Sequence, residues 1–321
     1  MIISASRRTD IPAFYSEWFM NRIKEGYVIV RNPMNNKLSR VLLTPELVDC
    51  IVFWTKNPIP MLPRLGELKD YCYYFQVTLT GYGRDIECHL PDKKKELIPA
   101  FQRLSDTIGP EKVIWRYDPI LVNDTYHVDY HLRAFDQIAK ALNGYTEKCV
   151  ISFVDTYTKN LKAMQRLGVQ ELDKKQMREL AASLRDIAAA NNMVIATCAE
   201  RIDLGDLSIE HNACIDKTLI ERITGGKIKD TKKNLKDAGQ RPECGCMPSK
   251  EVGAHNTCGN GCVYCYANYS PESVKKSMAR YDPHSPILCD TIGPDEEVKD
   301  AGGMKALVVK DDQMSFFDYM D

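Results

Sequence analysis

Six times between residue 1 and about residue 200 the chain repeats one order: a short β-rich run, a polar cluster, then a stretch of helical period. Met1 to Ser6 leads into Arg7-Arg8-Thr9-Asp10, Asp49 to Trp54 into Thr55-Lys56-Asn57-Pro58, and Tyr73 to Leu79 into Thr80-Gly81-Tyr82-Gly83. Lys112 to Trp115 leads into Arg116-Tyr117-Asp118-Pro119, Cys149 to Val154 into Asp155-Thr156-Tyr157, and Met193 to Thr197 into Cys198-Ala199-Glu200-Arg201. Between them, apolar residues stand three to four apart, as in Leu97, Phe101, Leu104 and Ile108, or Met177, Leu180, Leu184 and Ile187. A third such set is Leu132, Phe135, Ile138 and Leu142. Alternation of this kind predicts parallel strands joined by right-handed crossovers. The expected fold is therefore α/β: a partial or complete TIM-like βα barrel of about six parallel strands. A flat doubly wound sheet is the alternative, but no glycine-rich phosphate loop follows the first strand.

The polar clusters carry the functional signal. Each falls after a strand, at what becomes the C-terminal rim, where barrel enzymes gather their active sites. Arg7, Arg8, Asp10, Lys56, Asn57, Thr80, Arg116, Asp118, Asp155 and Glu200 would converge there from six strands. Taken singly, each is equally at home as a loop or helix-cap residue. Taken in register, they predict a site. Arg7 and Arg8 beside Asp10, and Arg116 beside Asp118, suit bidentate capture of a carboxylate or phosphate.

A second feature sits near the other end. Cys258-Gly259-Asn260-Gly261-Cys262-Val263-Tyr264-Cys265 is a C-x3-C-x2-C loop with an aromatic residue before its last cysteine. Three thiolates so spaced can hold three irons of a cubane and leave the fourth iron open; a zinc knuckle or three buried thiols are the alternatives. The chain has 12 cysteines, and five of them lie between Cys244 and Cys265. Cys244 and Cys246 are candidates for a second metal site with Cys198, Cys214 or His255, or for lining the first. A basic run precedes the loop, Lys227, Lys229, Lys232, Lys233, Lys236 and Arg241, readable as a solvated face or the wall of a phosphodiester groove. The formal net charge of −1 excludes a global basic field. No signal peptide and no apolar stretch of membrane-spanning length is evident, so a cytoplasmic protein with reduced thiols and no membrane partner is expected.

The cysteine spacing, aromatic included, resembles the cluster loop of the radical S-adenosylmethionine (SAM) superfamily, and Cys265-Tyr266 is similar to the spore photoproduct lyases and related DNA repair enzymes. The chain as a whole resembles a bacterial family of unknown reaction, domain of unknown function 1848. That resemblance rests on Ser6 to Ala13, Phe53 to Pro58, Trp115 to Ile120 and Cys244 to Asn268. It implies a βα barrel with a C-terminal iron–sulfur motif. The order departs from ordinary radical SAM enzymes, whose cysteine loop follows the first strand, and no Gly-Gly-Glu counterpart stands on the second strand. The cofactors so implied are a [4Fe–4S] cluster on Cys258, Cys262 and Cys265, and SAM. Arg7, Asp10, Lys56, Arg116 and Asp118 are then the catalytic candidates, with Arg8, Asn57, Thr80, Asp155, Glu200 and Tyr264 for cofactor binding.

Expected domains are a barrel over 1–225, a basic and cysteine-rich segment over 226–270 packed on its rim, and an irregular tail over 271–321. Within the tail, Gln313-Met-Ser-Phe-Phe317 is similar to the peptides with which bacterial repair proteins dock on the sliding clamp, or else packs its aromatics on its own barrel. The resulting expectation is a radical SAM-like enzyme drawing on an electron donor, with damaged or modified DNA or a nucleotide as substrate. The rivals are a metal-stabilised module that binds nucleic acid or the clamp, and an iron–sulfur enzyme that does not use SAM.

Overall fold

A computed structural model describes residues 1–155, 160–229 and 236–309. The clamp-like peptide at 313–317 lies outside the described residues, as do Thr156, Tyr157, Lys232 and Lys233.

The strands, in chain order, are β1 (Ile2–Ala5), β2 (Tyr27–Arg31), β3 (Leu38–Leu42), β4 (Cys50–Thr55), β5 (Tyr73–Thr78), β6 (Val113–Ile120) and β7 (Lys148–Phe153). They continue with β8 (Val194–Thr197), β9 (Glu210–His211), β10 (Lys227–Ile228), β11 (Lys250–Glu251), β12 (Val298–Asp300) and β13 (Val308–Val309). Eight of them make one sheet in the order β11-β1-β4-β5-β6-β7-β8-β9, every pair parallel. This is an α/β sheet of the partial-barrel kind, with its cysteines gathered toward the C-terminal part of the chain.

Strand period sorts the core into two layers. Ile3, Ile51, Phe53, Phe75, Trp115 and Ile151 point to one face. They meet apolar residues of α1 (Ser16–Glu25), α2 (Ile98–Ile108), α3 (Val128–Leu142) and α4 (Lys174–Ala190). Trp115 stacks on Phe135 with centroids 4.6 Å apart. Ile2, Val52, Tyr74, Ile114 and Val150 point to the opposite, inner face, with Ile215, Ile220 and Met247. Two residues further along these strands the same face carries Trp54, Gln76 and Arg116. Period two therefore delivers polar groups to the inner face at the strands' C-terminal ends.

The six expected units are present, but the sheet has eight strands. The two additional ones, β9 and β11, are two residues long, too short to read as β runs. Glu210–His211 pairs with β8, and a helix spans Lys217–Thr224 behind Asp216, whose carboxylate accepts from Thr218 N at 2.9 Å. β11 is decisive for the site because it lies against β1 (Ser4 opposite Glu251) and carries the chain to the strand ends. There Gly253 is required, since a Cβ on it would fall 2.0 Å from Ser6 Oγ. After Asn268 come a helix, Pro271–Met278, and the short strands β12 and β13, which pair with β3 and β10. Among the described residues no helix is long and apolar enough to cross a membrane.

Candidate functional site at the C-terminal rim

The three-cysteine loop is fastened to the rim at several points. Asn260 Nδ2 donates to Asp10 Oδ2 at 2.9 Å, and Asn260 O accepts from His89 N at 3.2 Å. Val263 N donates to Ile86 O at 2.9 Å. The hydroxyl of Tyr264 donates to Glu87, and that of Tyr266 to Arg7 O at 2.7 Å. Between the first two cysteines, Gly261 has a φ of +68°, and a Cβ there would lie 2.9 Å from His89 Nδ1. Glycine is needed both for the conformation and for the approach.

Glu87 is the anchor. It is buried, and it takes Lys56 Nζ at 2.7 Å on Oε1, Thr80 Oγ1 at 2.9 Å on Oε2, and Lys93 Nζ on Oε2. Burial alone would raise its pKa, but Lys56 and then Lys93 outweigh burial and hold it at about 2. Burial works against the charge on Lys56 as well, and there Glu87 followed by Cys262 prevails, so the ammonium is retained. Lys56 also donates to Tyr264 Oη at 2.7 Å. Burial pushes the Cys262 thiol up to about 12 against the pull of Lys56, and pushes Cys258 well up, with Asp10 next in effect. Without a metal both sulfurs hold their protons. A cation at Lys56 stands ready to offset thiolate charge.

A second constellation lies deeper on the inner face. Arg116, buried, grips Asp118 bidentately at 3.0 and 2.6 Å and donates from Nη1 to Gln76 Oε1 at 3.2 Å and Cys214 Sγ at 2.9 Å. Cys198 Sγ is 3.6 Å from Cys214 Sγ. Cys246 Sγ accepts from Cys214 N at 3.2 Å and Ile215 N at 3.4 Å. Hydrogen bonding by Cys198, then by Cys246, with Arg116 and Arg7 assisting, draws the pKa of Cys214 well below that of a free thiol. The Arg7 guanidinium lies over the Trp54 ring, 5.2 Å from its centroid, and its Nη2 is buried without a hydrogen-bond partner.

The predicted residues divide accordingly. Lys56, Thr80 and Tyr264 meet at Glu87, beside Cys262. Arg7, Arg116 and Asp118 meet at the second constellation. Asp10 joins barrel to loop: besides Asn260 it accepts from Lys56 N at 2.8 Å and caps Ala13 N at 3.1 Å. Asn57 makes a local turn, its Oδ1 accepting from Ile59 N at 3.1 Å. Arg8 is held through its backbone N by Ser6 Oγ at 2.9 Å, and its side chain makes no hydrogen bond among the described residues. Asp155 is exposed and pairs with Arg241 Nη1 at 2.6 Å, which places one member of the basic run against an acid. Glu200 accepts from Phe153 N at 2.8 Å; burial, with Asp155 adding, pushes it up to about 7. Sequence reading missed Glu87 and Lys93. The one signal available was a lone acid facing a lysine run across a short loop, which reads as solvated charge.

Among the described residues, no three His, Cys, Asp or Glu side chains already enclose a point as ligands of one ion. A cubane asks for something different. Each thiolate takes a separate iron, so its sulfurs stand farther apart than around a single ion. Cys258, Cys262 and Cys265 are half-buried on one rim loop, with Cys262 beside Lys56. A cleft lined by Glu111, Glu147, Lys148 and Arg222 opens where the strands begin, and none of the predicted site residues lines it.

The family model described as a domain of unknown function, DUF1848, matches residues 2–267 of this chain. No curated protein matches it.

Proposed function

The chain belongs to the DUF1848 family, and we propose that it is an iron–sulfur enzyme of the radical SAM kind. The observation that carries the reading is the fastening of the three-cysteine loop to the strand-end rim through Tyr264, Glu87 and Lys56. A binding module has no use for a buried ion-pair network under its metal loop, whereas a reactive centre must be held still. Cys258, Cys262 and Cys265 would hold a [4Fe–4S] cluster, which when bound supplies the electron for reductive cleavage of SAM and an open iron to receive it.

The chain's own residues have separable tasks. Lys56, kept protonated by Glu87, offsets the charge of the Cys262 thiolate and shields the loop from water. Asn260 and Asp10 set the loop's height above β1. Arg116, already holding Asp118, keeps a permanent positive charge on the inner face, and the unpartnered Nη2 of Arg7 is a donor available to a carboxylate or phosphate. Damaged or modified nucleic acid, or a nucleotide, is the substrate class proposed. It rests on the lyase-like loop and on these donors, with docking on a sliding clamp through Gln313 to Phe317 and an external electron donor as the partners.

The test is anaerobic reconstitution of the full chain, with iron and sulfide counted, followed by reduction in the presence of SAM. About four irons per chain and 5′-deoxyadenosine are expected. A fully loaded, reduced protein that forms no 5′-deoxyadenosine refutes the proposal.

A further inference from the structure

Four cysteines that the proposed reaction does not use come together behind the rim. Cys198 follows β8, Cys214 follows β9, and Cys244 and Cys246 belong to the segment leading to β11. They form a string: Cys198 Sγ stands 3.6 Å from Cys214 Sγ, Cys246 Sγ accepts from Cys214 N at 3.2 Å, and Cys246 lies close enough to the Cys244 thiol to lower its pKa. We infer that Cys198, Cys214, Cys244 and Cys246 form a second metal site, binding one tetrahedral divalent ion of the zinc class.

Spacing selects a single ion. A zinc–sulfur bond of about 2.3 Å places the sulfurs of a regular tetrahedron about 3.8 Å apart, close to the 3.6 Å between Cys198 and Cys214. Cubane thiolates, each on its own iron, would stand wider. Since no three ligands yet enclose a point, coordination turns the ends of the string, Cys198 and Cys244, inward toward Cys214 and Cys246.

The surroundings are those of metal-bound thiolate. Cys214 Sγ accepts from Arg116 Nη1 at 2.9 Å and Asn212 Nδ2 at 3.4 Å, and Cys246 Sγ from two backbone N–H groups. A neutral buried thiol needs no such donors, whereas metal-bound sulfurs are held and tuned by them. Four thiolates around a divalent ion leave two negative charges, and two guanidinium groups face them: Arg116, in direct contact with Cys214 while also paired with Asp118, and Arg7, whose charge acts on Cys246, Cys214 and Cys244. Without such pairing a buried double charge would be prohibitive. The site would lock β8, β9 and the segment before β11 together, on the face under the reactive loop.

The test separates this site from the first. In the full chain carrying C258A, C262A and C265A, zinc should bind at one ion per chain, and cobalt in its place should give the charge-transfer and d–d bands of a tetrahedral thiolate complex. Adding Cys198→Ser, at the half-buried end of the string, should weaken zinc by more than the roughly 10–100-fold typical of outer-shell changes, with far-UV circular dichroism unchanged. Three outcomes overturn the inference: a triple variant that binds no zinc or cobalt, a C198S form that binds as tightly as its parent, or a four-iron cluster on these cysteines. Because the readout is metal in a chain lacking the first loop's thiols, it stands or falls separately from 5′-deoxyadenosine formation.

Discussion

Lys56 Nζ stands 2.7 Å from Glu87 Oε1, and this ion pair ties the end of β4 to the segment after β5, directly beneath Tyr264 of the cysteine loop. Glu87 is 1 % exposed at its side chain. The loop's attachment thus depends on a carboxylate that has no access to water and four donors to satisfy it: Lys56, Lys93, Thr80 and Tyr264.

Replacing Glu87 by Gln leaves Lys56 and Lys93 facing each other without a counter-charge. Breaking a buried pair in this way costs about 3–5 kcal/mol. Urea unfolding should show that loss, and reconstituted iron should fall with it. Unchanged stability would mean that the lysines find other acceptors.

Tyr264→Phe is a milder cut, because Glu87 keeps both lysines. It removes hydrogen bonds to charged partners on each side of the hydroxyl, so about 1.5–3 kcal/mol should be lost. The effect should appear as faster cluster release to a chelator more than as a lowered midpoint. A loop that releases iron no faster is not held by this tyrosine.

Two carboxylates should give opposite pH trends. Glu87 is held at about 2, below its ordinary 4.5. Its contribution, on the order of 3 kcal/mol, is present above pH 4.5 and is lost as pH falls toward 2. Glu200 is raised from 4.5 to about 7. The folded state therefore holds its proton more tightly than the unfolded chain, and stability declines as pH rises from 4.5 through 7. Denaturation midpoints across pH 2–8 for the parent, E87Q and E200Q should show E87Q flattening the acid limb and E200Q the neutral one.

The six strand–helix units were legible because their apolar periods are long and repeated. What stayed hidden depends on neighbours distant in sequence. β9 and β11 exist only because β8 and β1 present free edges to them. Glu87 sits in Arg84-Asp85-Ile86-Glu87, which reads as a solvated loop until Lys56 and Lys93 close over it. The rim residues were legible as a set but not in their roles. Asn57 is spent on its own turn, while Asp10 is spent on a helix cap and on Asn260. Cys198 and Cys214 were legible as partners for Cys244 and Cys246 alongside His255, but the choice between them was not: it is β9, pairing with β8, that sets Cys214 against Cys198.

Gly261→Ala tests the wrapping of the loop. A methyl group there meets His89 Nδ1 at 2.9 Å, and the φ of +68° disfavours any side chain. About 1–2 kcal/mol for the backbone conformation alone is expected, with reduced iron loading at unchanged far-UV circular dichroism. Full loading in G261A would show that the loop re-forms by another path.

The parallel pairing of β11 with β1 joins the first strand of the sheet to a segment about 250 residues later in the chain. During translation, then, Arg7, Lys56 and Arg116 leave the ribosome well before the three-cysteine loop does. A chain made only that far carries the strand-end residues without Cys258, Cys262 and Cys265, the ligands of the proposed cluster.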